Sequence, residues 1–240
     1  MGILVNDRNV KILLYGDSIA KGIVYDESSN KYKKEGSCFF NILSGKMKAT
    51  LENVSKFGNT LIRASRKFDE DLSKHKPDIA VIEFGGNDCD FCWEQVAENP
   101  YDHHSPNTPP EEFETLLTDF IHRMREQSIQ PVIFTMPPID PIRYFKWICQ
   151  GKPSYEKNIL TFLGTENTIY RWHEKYNLML LEIAAANHIP VIDIRKSFLC
   201  YLDIGQFLCK DGIHPNQKGH KLIADTVMNH INLHYPQLAM

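Results

Sequence analysis

Five short apolar runs separated by amphipathic segments of helical length predict a doubly wound α/β protein. The expected architecture is three-layer α/β/α, with a parallel five-stranded sheet in the order 2-1-3-4-5 and helices on both faces. Three observations carry this. The apolar runs are too short for helices and are bounded by Gly, Pro or Asn. The segments between them repeat their apolar residues at helical spacing. The 240 residues hold no repeat, low-complexity tract or linker, so residues 1–240 read as one domain with a full core.

Composition narrows the class. Hydrophobic residues make up 42% and charged ones 24%, an ordinary folded balance. A net charge of -3 gives no overall attraction to a polyphosphate backbone, so no nucleic-acid partner is expected. Met1 to Val10 lacks the apolar core of a signal peptide, and no stretch approaches a membrane span. Gly2 is followed by Asn6 where a myristoylation pattern needs Ser or Thr. A cytoplasmic protein is expected. Its six cysteines then read as free thiols. Cys89 and Cys92 have CxxC spacing, but no second pair completes a zinc set, so no metal is expected.

The first strand is Val10 to Tyr15, stopped by Gly16, after which Asp17 and Ser18 stand where a helix can begin. Glu35 to Met47 reads as an amphipathic helix, and Lys48 to Val54 as the second strand. Leu61 to His75 reads as one surface helix capped by Asn59 or Thr60. Ile79 to Phe84 is the clearest buried strand and ends in Gly85-Gly86-Asn87-Asp88. Asn99 to Pro110 is a polar loop. A helix opened by Pro110 runs to about Gln127 with Phe113, Leu117, Phe120 and Met124 inward. Pro131 to Met136 is the fourth strand. Ile139 to Gly164 reads as an irregular aromatic stretch, its entry stiffened by Pro137, Pro138 and Pro141. The chain then gives a helix over 166–187, a fifth strand over 189–194, a connector over 198–210 and a last helix from Asn216 to about His234.

In that sheet order the first three strands end along one rim, bringing Ser18, Gly58 and Asn87 together. Four blocks stand in sequence: Gly16-Asp17-Ser18, Gly58, Gly86-Asn87-Asp88 and Asp211-Gly212-Ile213-His214. Each alone is an ordinary turn or cap. Together they resemble the SGNH hydrolases, also called GDSL esterases and lipases, whose Ser, Gly, Asn and His all appear in order. The resemblance implies a flavodoxin-like fold and a serine esterase acting on a small-molecule ester through an acyl-enzyme, without metal or organic cofactor. The chemistry asks for the same residue types. Ser18 needs a base to become a nucleophile, His214 is the usual base near neutrality, and Asp211 can fix its tautomer. By the resemblance, the backbone N–H groups of Ser18 and Gly58 and the Asn87 amide form the oxyanion hole. Gly58 is expected to be small so that its N–H can approach the substrate.

Asp17 and Asp88 read as hydrogen-bonding supports, and His103 and His104 as surface residues. Glu83 sits inside a buried-looking strand, either facing the site or meeting an unseen base. The absence of a GxSxG elbow disfavours the α/β-hydrolase fold. The rival from another class is a flavin- or nucleotide-binding module on the same sheet. Gly16 to Gly22 lacks the Gly-Lys-Ser/Thr ending such a phosphate loop needs. A short acyl group, such as acetyl on a carbohydrate, is the expected substrate feature.

Overall fold

The computed structural model describes residues 9–240, so the reading of Met1 to Val10 lies, up to Arg8, outside the described residues. In chain order the elements begin with β1 (Val10–Gly16), α1 (Ser18–Lys21), β2 (Ile23–Asp26), β3 (Lys31–Lys34), α2 (Phe39–Ser44) and β4 (Ala49–Asn53). Next come α3 (Leu61–Ser65), α4 (Phe68–His75), β5 (Ile79–Glu83), α5 (Trp93–Glu98), α6 (Pro110–Glu126) and β6 (Gln130–Phe134). The chain closes with α7 (Pro141–Cys149), α8 (Pro153–Leu163), α9 (Asn167–Ala186), β7 (Val191–Ile192), α10 (Ile194–Leu199) and α11 (Gln217–His234).

The five-stranded sheet is parallel, in the order β4-β1-β5-β6-β7. Counted along the sheet's own strands this is 2-1-3-4-5, the order expected from right-handed crossovers. Strand alternation divides the core between two faces. Leu13, Tyr15, Ala80, Ile82 and Ile133 point toward α3, α4, α6 and α9, where Phe68, Phe120 and Tyr176 are fully buried. Leu14, Ile79, Val81, Val132 and Phe134 point the other way, under α2, α10 and α11. Both faces of each central strand are therefore apolar, as the near-continuous hydrophobic runs require.

Several elements differ from the sequence reading. The helix expected over Glu35 to Met47 is only Phe39–Ser44, and the residues before it form the antiparallel hairpin β2–β3, which the sequence pattern does not announce. The helix expected over Leu61 to His75 is two helices. Thr60 caps the first, its hydroxyl accepting from Arg63 N, and Asp69, Glu70 and Asp71 crowd the first turn of the second. Such an acidic run favours a fresh N-terminus. The fifth strand is two residues rather than six, α5 is an additional helix, and the connector after the fifth strand begins inside α10.

The largest correction concerns Ile139 to Gly164, which is not irregular but two helices, α7 and α8. Pro141 and Pro153 each open one at its first turn, where proline's missing N–H costs nothing. Asp140 caps α7 by accepting from the amides of Ile142 and Arg143 at 3.1 and 3.0 Å. Together with α5, these helices form a third apolar cluster around Tyr144, Phe145, Ile148 and Ile159.

Candidate active site

The site is built at the carboxyl end of β1. Gly16 has no room for a side chain: a Cβ there would lie 2.5 Å from the Glu83 carbonyl oxygen and 2.8 Å from Ala20 Cβ. The chain turns at Asp17, whose Oδ1 caps α1 by accepting from Ile19 N at 2.8 Å. This leaves Ser18 at the first position of a four-residue helix, 6% exposed. Its Oγ lies 2.9 Å from His214 Nε2.

His214 arrives from the opposite end of the sequence, on the loop before α11. Its Nδ1 lies 2.6 Å from Asp211 Oδ2. Asp211 Oδ1 accepts from the amides of Ile213 and His214, both at 3.1 Å, so the turn itself fixes the carboxylate. Burial opposes the charge on Asp211, yet the hydrogen bond with His214 and these amides hold its carboxyl below its ordinary value. Asp211, His214 and Ser18 thus form one unbroken hydrogen-bond chain.

Asn87 and Gly58 stand beside it. Asn87 Nδ2 donates to Asp17 Oδ2 at 2.8 Å, and Asn107 Nδ2 donates to the Asn87 carbonyl at 2.9 Å. Among the described residues no acceptor in the protein takes the backbone N–H of Ser18 or of Gly58. Such free donors are what an oxyanion needs. Glycine at 58 also answers to its backbone. A Cβ there would meet nothing within 4 Å, but φ is 65°, which a side chain disfavours. The open space above it is part of the cavity.

The acids around Ser18 have separate tasks. Glu83 faces the site and not a base: its Oε2 accepts from the amides of Ala20 and Asp17 at 3.2 and 3.4 Å. Burial, then the charge of Asp17, raises its carboxyl well above the ordinary value, and the two carboxyls are hydrogen-bonded to each other. Asp88 is fully buried and ties three segments together. It accepts from Leu61 N at 2.8 Å, Thr108 Oγ1 at 2.6 Å and Gly85 N at 3.1 Å. Burial pushes its carboxyl up to about 6 against these bonds.

A cavity of about 1000 Å³ opens from Ser18, Gly58, Asn87 and His214. Its walls include Phe91, Trp93, Tyr144, Trp147, Phe162 and Trp172. Asp90 lines it too, accepting from Tyr144 Oη at 2.6 Å and Trp93 Nε1 at 2.7 Å, and burial pushes its carboxyl up to about 6. Of the histidines expected at the surface, His103 is exposed, whereas His104 reaches the cavity wall beside Phe162. Cys89 is buried and Cys92 exposed, and all six cysteines are unpaired. Sequence reasoning misses Phe57 and Tyr32, although both rings approach His214, at 6.2 and 5.0 Å. The one signal for Phe57 is its place before Gly58. Tyr32 has none, because nothing in the sequence marks its hairpin.

Among the described residues no helix is long and apolar enough to cross a membrane, and no group of three or more His, Cys, Asp or Glu is placed to hold a metal ion.

The chain resembles proteins already described. It is 24% identical over 193 residues to the uncharacterized lipoprotein YqeF of Bacillus subtilis, covering 78% of this chain and 72% of that protein. It is 24% identical over 234 residues to the isoamyl acetate-hydrolyzing esterase of Saccharomyces cerevisiae, covering 95% of this chain and 88% of the yeast protein. The crystal structure of the lipase/acylhydrolase from Enterococcus faecalis superposes with a TM-score of 0.67 at 22% identity, covering 95% of this chain and 97% of that one. Residues 14–222 match the model of the GDSL-like lipase/acylhydrolase family, from the end of β1 through the start of α11. The chain belongs to that family and is a serine ester hydrolase of the GDSL type.

Proposed function

We propose that Ser18, His214 and Asp211 are the catalytic triad of this hydrolase, and that it cleaves a carboxylic ester through an acyl-enzyme. One observation carries the reading: the hydrogen-bond chain from Asp211 through His214 to Ser18 Oγ ends where the cavity begins. His214 Nε2 takes the serine proton as Oγ attacks the ester carbonyl. Asp211 holds the imidazole so that Nδ1 carries the other proton, and stabilises the imidazolium that forms. The N–H groups of Ser18 and Gly58 and the Asn87 amide receive the oxyanion. His214 then protonates the departing alcohol. Water, deprotonated by the same nitrogen, releases the acid and restores Ser18.

The acyl group is short, acetyl being the first choice, and the bulkier alcohol occupies the aromatic cavity. The name of the yeast relative supports an acetate ester. The cavity's volume supports a larger partner, since about 1000 Å³ far exceeds an acetyl group. Aromatic walls suit either a sugar ring or an apolar alcohol. Hydrolysis of p-nitrophenyl esters of graded length, beside acetylated sugars and acetates of branched alcohols, tests this. Turnover that rises with acyl length instead of falling overturns the short-acyl assignment. The six unpaired thiols fit a reducing compartment, and a cytoplasmic location is proposed on that ground.

A further inference from the structure

Asp211 has a fourth donor, and it comes from the hairpin. Tyr32, inside β3, donates its hydroxyl to Asp211 Oδ2 at 3.0 Å. The same oxygen faces His214 Nδ1 at 2.6 Å, while Oδ1 is occupied by the two backbone amides. We propose that Tyr32 is a positioning residue of the hydrolytic site, sharing Asp211 Oδ2 with His214 and setting how strongly Asp211 holds the imidazolium. The inference rests on His214 being the general base.

The placement is held by several rings. Tyr32 pairs across the hairpin with Tyr25, ring centroids 5.3 Å apart, and meets Phe57 at 5.3 Å and the His214 ring at 5.0 Å. Tyr25 in turn lies 4.7 Å from Trp147 on the cavity wall. The rest of β3 is exposed lysine: Lys31, Lys33 and Lys34. A two-stranded hairpin has little stability of its own, so this aromatic dock, beside the burial of Ile23 and Val24 in β2, seats it. Tyr32 is thus presented to Asp211 by a hairpin held on both sides, its second strand through these rings and its first through buried Ile23 and Val24.

A carboxylate oxygen with two donors gives less electron density to each. With the phenol gone, Oδ2 faces His214 alone, and the imidazolium gains stability relative to the neutral ring. His214 must be neutral to accept the serine proton, so the enzyme would stay inactive to higher pH. Burial, then the charge of Asp211, pushes the Tyr32 phenol up, so it remains a donor. Burial pushes the Cys209 thiol up to about 11 and His220 down to about 4, and burial with the charge of Asp17 raises the Glu83 carboxyl. The Asp17 carboxyl acts on His214 from the Ser18 side, Glu27 and Glu35 act on Cys209, Glu35 also acts on His220, and Tyr25 lies across the hairpin; Tyr32→Phe removes none of these groups.

The test is Tyr32→Phe with Tyr25→Phe as the control, since Tyr25 Oη bonds Asn30 and not the site. The acid limb of kcat/KM for a p-nitrophenyl ester should move up by about half a pH unit in Tyr32→Phe, with kcat on the plateau held or raised by up to about threefold and KM within about twofold. The downfield proton resonance of the His214–Asp211 bond should move in Tyr32→Phe and stay in Tyr25→Phe. In an Asp211→Asn background, Tyr32→Phe should have no further effect on kcat. That resonance reads the bond even in a preparation that hydrolyses no ester tried, which separates failure of this inference from failure of the esterase reading. An unmoved limb with an unmoved resonance, whatever happens to Tm, overturns the role of Tyr32. So does an equal shift in Tyr25→Phe.

Discussion

Asn87 Nδ2 donates to Asp17 Oδ2 at 2.8 Å, so the residue before Ser18 orients the amide beside it. Asp17 uses its other oxygen to cap α1 through Ile19 N. One side chain therefore sets the register of Ser18 and the aim of Asn87 together. With one amide hydrogen committed to Asp17, the second is left for the cavity. Asn87→Ala should cost roughly 10²- to 10³-fold in kcat with KM little changed, because only the transition state carries the oxyanion. Asn87→Asp should be at least as damaging, since it sets an anion against both the oxyanion and Asp17. A change confined to KM would make Asn87 a ground-state binding group.

Ser18→Ala should lower ester hydrolysis by about 10⁴- to 10⁶-fold and leave the fold intact. The hydroxyl makes one hydrogen bond, to His214, and its loss removes little packing. A serine-directed phosphonate should add once, at Ser18, as read by peptide mass mapping. Labelling of another serine would falsify the assignment.

Glu83→Gln tests whether the buried acid is neutral. A glutamine keeps an oxygen for the Ala20 and Asp17 amides and an N–H for the Asp17 carboxylate. A protonated Glu83 is therefore mimicked, and activity at pH 7 should stay within about threefold of wild type. Glu83→Ala leaves those amides without an acceptor and should cost about 1–3 kcal/mol in stability. A large kcat loss in Glu83→Gln would mean that Glu83 is ionised and works by its charge.

Much of this arrangement is legible in the sequence. Ser18, Gly58 and Asn87 follow apolar runs too short for helices, and a parallel sheet in the order 2-1-3-4-5 leaves such strand ends on one rim. The residues that finish the site are not legible, because tertiary docking positions them. Tyr32 is one tyrosine among lysines until its hairpin lies against Phe57 and Trp147. The helices α7 and α8 are hidden for another reason. Their prolines read as breakers, although Asp140 ahead of Pro141 is a cap in plain view. Glu83 resists interpretation too, since its partner Asp17 is 66 residues away.

Asp88 gives stability a pH dependence of predictable sign. Burial raises its carboxyl from 3.8 to about 6, so the folded protein holds this proton more tightly than the unfolded chain. Stability from this group is greatest below about pH 4, falls as pH rises to about 6, and is level above. A rise of that size corresponds to about 3 kcal/mol. Asp88→Asn should be less stable overall, because its amide would face the Gly85 N–H, yet should lack this slope. Urea unfolding of both proteins at pH 4, 5, 6 and 7 checks it. Parallel slopes would assign the titration to another group.

Phe145 and Trp147 should separate packing from recognition. Phe145 is 5% exposed, packs in the cluster under α5 and α8, and does not line the cavity. Its replacement by Ala should cost about 3–5 kcal/mol in stability and leave the ranking of substrates unchanged. Trp147 lines the cavity and is only partly buried, so its truncation should cost less stability. Removing its ring widens the space offered to the alcohol moiety. In Trp147→Ala, kcat/KM for small acetates should stay within a few-fold, while bulky alcohol esters lose the stacking surface and fall roughly tenfold or more, a difference of about 1.4 kcal/mol. Trp147 also seats the hairpin through Tyr25, so a uniform loss across all esters would instead report displacement of Tyr32. The acid limb distinguishes the two: it stays in place when only the pocket has changed, and moves when Asp211 has lost its phenol. A Trp147→Ala enzyme with unchanged substrate ranking and an unmoved limb would put alcohol recognition elsewhere in the cavity.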